Sequence, residues 1–162
     1  MKNSEKKWLQ AATWETLLKE NQTFCQAQKL DSKPCPTNFE KARRLWESNS
    51  ANPMSLPEAL DTCRKCHEIA PFIFNNGNTF AAIAKNMVED WAKSISPVEA
   101  QMLRSTVGHY VTGRVNRKEL LDVLTFLSPT WEKFCAVPLK VLAEPASPAP
   151  VQPVPTQQLL AS

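Results

Sequence analysis

Glycine occurs three times in these 162 residues, histidine twice and tyrosine once. So few glycines leave little room for tight turns, and neither Gly77 nor Gly113 stands in a phosphate-loop pattern. With 43% hydrophobic residues, this scarcity favours a helical fold, and the length suits one domain with a real core. No run of eighteen apolar residues occurs, so no spanning helix and no membrane partner are expected. Met1 to Trp8 is basic but has no apolar stretch behind it, and does not read as a secretory signal. Five cysteines, an odd number without an export signal, point to reduced thiols in a cytoplasm. His67 and His109 have no carboxylate partner legible from spacing, apart from Glu68 beside the first. No catalytic constellation emerges, and the chain does not read as an enzyme.

What is present is a succession of capped amphipathic segments. The spacing predicts a helix over residues 5–20 through Trp8, Leu9, Ala12, Leu17 and Leu18, then a break at Pro34 and Pro36. Thr37 with Glu40 reads as a cap for a helix through Phe39, Ala42, Leu45 and Trp46, whose other side carries Lys41, Arg43 and Arg44. Ser55 with Glu58 repeats the cap, and Pro71 ends that helix. A turn at Asn75–Asn78 precedes a helix expected from Thr79 to Trp91. Asn116 and Glu119 open another through Leu120, Leu124 and Leu127, which Ser128-Pro129 is expected to break. From Pro138 onward lie six of the thirteen prolines and almost no charge, a composition that reads as an extended or disordered tail packing no core. The expected organisation is a helical arm and linker over 1–36, a helical domain over 37–136, and a Pro-rich tail over 137–162 that offers a possible protein-docking segment.

The densest signal lies between Ser96 and Lys118. Ser96, Pro97 and Glu99 have the order of a helix start. Val98, Met102, Leu103, Val107, Tyr110 and Val111 then recur at three- and four-residue spacing, while Gln101, Arg104, Ser105, Gly108 and His109 share the other face. From Lys93 to Lys118 there are five Lys/Arg against one Glu, a local net of +4. Nearly unopposed cations beside small polar residues point to sugar-phosphate.

Cys63-Arg64-Lys65-Cys66-His67 has the spacing that attaches a c-type haem, with Met87 or Met102 available as a second axial ligand. A zinc site from Cys25, Cys35, Cys63 and Cys66, with His67 in reserve, is the other reading of these thiols. The bland alternative is ordinary buried or half-exposed thiols, with no metal or cofactor expected.

The order of pieces from about Ser55 to Lys118 resembles the FinO/ProQ family of bacterial RNA-binding proteins. Leu56 to Thr62 resembles its opening helix, Pro71 to Phe74 its "P-x-x-F" step, and Phe80 to Trp91 its second helix. Ser96, Leu103-Arg104 and Tyr110 resemble a third helix with "S…L-R" and a tyrosine six residues later. The basic segment Thr37 to Glu47 is similar to the N-terminal extension of plasmid-borne members. The sequence departs from the pattern at Thr79 to Ile83, at Asn116, where a tyrosine is usual, and in lacking a Gly-x-x-Arg hairpin between Leu121 and Phe134. The resemblance implies a cofactor-free RNA chaperone in post-transcriptional regulation, recognising a terminator-like hairpin and its 3′ single strand. It implies phosphate contacts from Arg104, Arg114, Arg117 and Lys118, ribose or stacking contacts from His109 and Tyr110, and duplex contacts from Lys41, Arg43 and Arg44. A helical DNA-binding or protein-interaction module and a c-type cytochrome are the alternatives.

Overall fold

The computed structural model describes residues 5–135 together with Leu139 and Val141. Seven α-helices occur among them, α1 (Trp14–Ala27), α2 (Phe39–Ser50), α3 (Leu56–Ile69), α4 (Asn76–Met87), α5 (Glu89–Lys93), α6 (Pro97–Val111) and α7 (Arg117–Cys135), preceded by a 3-10 turn at Trp8–Ala11. No strand forms among the described residues; two isolated bridges pair Lys6 with Met54 and Pro34 with Phe72. No described helix is long and apolar enough to cross a membrane.

The helix starts follow local chemistry. Ser55 and Glu58 form the expected reciprocal cap: the Glu58 amide donates to Ser55 Oγ and the Ser55 amide to the Glu58 carboxylate, at 3.3 and 2.9 Å. Such a cap stabilises a helix start by about 1 kcal/mol. Ser96 accepts from the Glu99 amide and donates to its carboxylate, whereas Asn116 and Glu119 exchange bonds as Ser55 and Glu58 do. At α3's end Ala70 turns left-handed, at φ 57°, just before Pro71.

Several expected boundaries move. The first helix starts at Trp14, capped by Thr13, and not near residue 5; α2 has Asn38 at its cap, with Thr37 bonded only to the Asn38 side chain. The fourth helix starts three residues before Thr79, because Asn75 takes up the left-handed turn at φ 63°. Thr79 is fully buried, accepting from Asn21 at 3.2 Å. Val88 then divides the expected Thr79–Trp91 segment into α4 and α5.

Pro129 does not break α7. Its ring removes the amide that would bond the Thr125 carbonyl, and the Ser128 hydroxyl donates to that carbonyl instead, at 2.8 Å. The helix thereby continues to Trp131, whose ring lies 5.4 Å from Trp8 and 5.2 Å from Trp91.

Trp8, Leu9 and Leu17 are fully buried in the same core as α3, α4, α6 and α7, and the Trp46 indole donates to the Ala12 carbonyl at 2.9 Å. The expected boundary at residue 36 therefore divides no packing. Each large apolar side chain fully buried in this core contributes about 1.5–3 kcal/mol. Leu139 is also buried, so the expectation that the chain packs no core from Pro138 fails at that residue. The rest of the Pro-rich segment, Leu139 and Val141 aside, lies outside the described residues. At the centre, α4 packs on α1, α3 and α6.

Candidate nucleic-acid interface

Along α6, residues 101, 104, 105, 108, 109 and 112 fall on one side, and residues 103, 107, 110 and 111 on the other. The second set is buried. The first set faces a cleft of about 680 Å³ whose remaining walls come from Gly77, Asn78, Ala81 and Lys85 of α4, His67 at the end of α3, and Arg114. None of the residues lining it is acidic.

Three small features shape it. Ala81 and Gly108 lie at the contact of α4 with α6, and a Cβ added at Gly108 would stand 3.8 Å from Ala81 Cβ and 2.9 Å from Lys85 Cε. The Lys85 stem thus occupies the space that a side chain at position 108 would take. At the C-terminal end of α6, Gly113 adopts φ 82°, its amide bonds the Tyr110 carbonyl at 3.1 Å, and the Arg114 amide bonds the His109 carbonyl at 2.8 Å. This is a Schellman ending, which a glycine at that position makes easy, and it turns the chain so that Arg114 returns to the cleft.

Arg104 is fixed by Glu89 of α5, with Nε donating at 3.0 Å and Nη2 at 2.8 Å. The hydrogen bond from Arg104 holds the Glu89 carboxyl below its ordinary range, and Arg104 is raised in return. A surface pair of this kind adds little to stability; its larger effect is to orient the guanidinium and leave Nη1 without a partner among the described residues. Lys85 and Arg114 have no carboxylate partner there either. His109 Nδ1 lies 3.5 Å from Ser105 Oγ. His67 is half-buried beside Gly77, and burial lowers its pKa, with Glu68 opposing that shift and Arg64 adding to it.

The expected contact residues separate into four places. Arg104, His109 and Arg114 share the cleft. Tyr110 does not: it is buried on the far side of α6, donates its hydroxyl to Asp61, and has the Arg64 guanidinium 5.0 Å from its ring. Arg117 binds the other oxygen of the same carboxylate, so these two residues tie α6 and α7 to α3. Lys118 is exposed on α7 and paired with Asp122 at 3.4 Å. Arg43 bridges Glu40 and Glu47 along α2, each at 3.2 Å, and Lys41 and Arg44 are exposed beside it. Sequence reasoning missed Lys85, Asn78 and a cleft role for His67. The signal was the small pair Ala81 and Gly108, which marks a close helix crossing with Lys85 one turn beyond.

The two close-spaced thiols lie in the core. Cys63 and Cys66 are fully buried in the core, and Cys66 donates weakly to the Ala42 carbonyl at 3.7 Å. Burial pushes the Cys66 thiol up to about 12 and Cys63 well above its ordinary value. Thioether attachment or zinc ligation at these sulfurs requires opening that core, whereas His67 faces the cleft. Among the described residues no three His, Cys, Asp or Glu side chains are grouped to hold a metal ion.

Compared with known proteins, the chain matches no family model, no curated protein and no solved structure.

Proposed function

We propose that this chain is a binding module for structured RNA, of the kind its resemblance to the FinO/ProQ family implies, and that the cleft between α4 and α6 is where a phosphate of the RNA is held. One observation carries the reading: Lys85, Arg104 and Arg114 line a single concave space with two imidazoles and no carboxylate. Positive charge left unneutralised in a recess is what a polyanion recognises, and amide or hydroxyl groups such as Asn78, Gln101 and Ser105 suit ribose and phosphate oxygens. Neither imidazole has a carboxylate in the lining to act with, which favours binding over catalysis. Lys41 and Arg44 on α2 supply further exposed charge outside the cleft.

The test is an anisotropy titration over a salt series with a hairpin RNA carrying a 3′ single strand, against the tailless hairpin and a duplex DNA of equal length. Binding should weaken steeply with salt, and Arg114→Gln should reduce the salt slope by about 1 while preserving helicity. No RNA binding at low salt, or an unchanged slope in the variant, refutes the assignment. Preference for the DNA favours a DNA-binding module instead.

A further inference from the structure

We infer that the cleft receives a terminal phosphomonoester, the dianionic end of an RNA chain or of a single nucleotide, and not an internal phosphodiester. This rests on the reading of the cleft as a nucleic-acid site and specifies what enters it.

Charge is the first argument. The lining carries three fixed cations, Lys85, Arg104 and Arg114, and Glu89 neutralises one of them through Arg104. The fixed charges sum to +2. An internal phosphodiester brings a single negative charge. A terminal monoester brings about 1.5–2 negative charges at neutral pH and three acceptor oxygens. It matches the recess in charge.

Donor geometry is the second argument. Glu89 occupies Arg104 Nε and Nη2, so the guanidinium is held by one edge and offers Nη1. Lys85 comes from the opposite helix, its stem laid over Gly108, and Arg114 from beyond the glycine turn. Donors thus arrive from three segments, an arrangement that suits a tetrahedral anion with several free oxygens better than one with two of its oxygens esterified.

Size is the third. A cleft of about 680 Å³ lies within the range of about 300–1,000 Å³ that holds one small organic ligand. It accommodates a nucleotide, with Asn78 and Gln101 placed to meet a sugar or base edge, and excludes a duplex. Stem contacts then fall to exposed cations outside it.

The experiment uses the full chain with one hairpin RNA prepared four ways: 5′-phosphate, 3′-phosphate, both ends phosphorylated, and both ends hydroxyl. Calorimetric titrations with adenosine 5′-monophosphate, adenosine and inorganic phosphate run alongside. A phosphorylated end should tighten binding by about tenfold or more, as befits charge-assisted bonds. Adenosine monophosphate should compete where adenosine does not. The Lys85→Gln/Arg114→Gln variant, changed only at exposed positions, should lose that advantage with its circular dichroism unchanged.

Equal affinity for phosphorylated and hydroxyl-ended RNA overturns the inference and leaves the RNA reading standing. Nucleotide binding without RNA binding does the reverse. An advantage that survives in the double variant removes the terminal phosphate from this cleft, and binding of neither probe refutes both readings.

Discussion

Lys85 of α4 lies across Gly108 of α6, its Cε 2.9 Å from where a Cβ on residue 108 would stand. A glycine in the second half of a fifteen-residue helix has a helix-propensity cost of about 0.5–1 kcal/mol relative to alanine. Here it gives a flexible cation a bed on the wall of the cleft.

Gly108→Ala separates stability from binding. The added methyl meets the far end of a mobile side chain and, at 3.8 Å, makes an ordinary contact with Ala81. The denaturation midpoint should hold or rise, with a gain of up to about 1 kcal/mol. RNA affinity should fall severalfold as Lys85 is displaced. A variant that binds as well as the parent shows that the position of Lys85 is unimportant.

Tyr110→Phe should behave in the opposite way. It removes a hydroxyl bonded to Asp61 from a side chain that is otherwise buried, while Arg117 stays on the same carboxylate. Urea denaturation should register a loss of about 1–2 kcal/mol, and the RNA titration should be unaffected. A large affinity loss at preserved stability would return Tyr110 to the binding surface.

Acid should weaken the fold in two stages. His67 is lowered from its ordinary 6.5 by burial, and Glu89 from 4.5 by its hydrogen bond to Arg104. In both cases the unfolded chain binds more protons than the folded one, so stability rises with pH. The His67 contribution is complete above about 6.5 and is lost as pH falls through its lower folded value; that of Glu89 is complete above about 4.5 and is lost below it. Urea midpoints measured from pH 7.5 to 4 should therefore decline, and His67→Gln should flatten the upper part of that decline alone. A profile with the same upper slope in the variant assigns it to another group.

Much of the fold was legible because helix starts are local. Ser55–Glu58, Ser96–Glu99 and Asn116–Glu119 each set a helix start through bonds spanning three residues, and Pro71 ends α3 as expected. The errors have tertiary causes. Pro129 sits within a helix because Ser128 serves the stranded Thr125 carbonyl and Trp131 is anchored between two other indoles. Residues 8–17 look like a detached arm until Trp8, Leu9 and Leu17 are found in the common core.

For the site, periodicity along α6 was enough to place Arg104, Ser105, Gly108 and His109 on one side, since the angle between successive residues is fixed by the helix itself. The same periodicity already set Tyr110 with the apolar residues, and its burial follows. What faces the polar side depends on which helix crosses there. Lys85, His67 and Arg114 are separated from Arg104 by 19, 37 and 10 positions in the chain, and no local rule relates them. Packing of α4 on α6 at Ala81 and Gly108, together with the left-handed turn at Gly113, gathers these residues into one recess. Sequence alone determined the helices and the sides they show; the close approach of two small residues decided which side became a cleft.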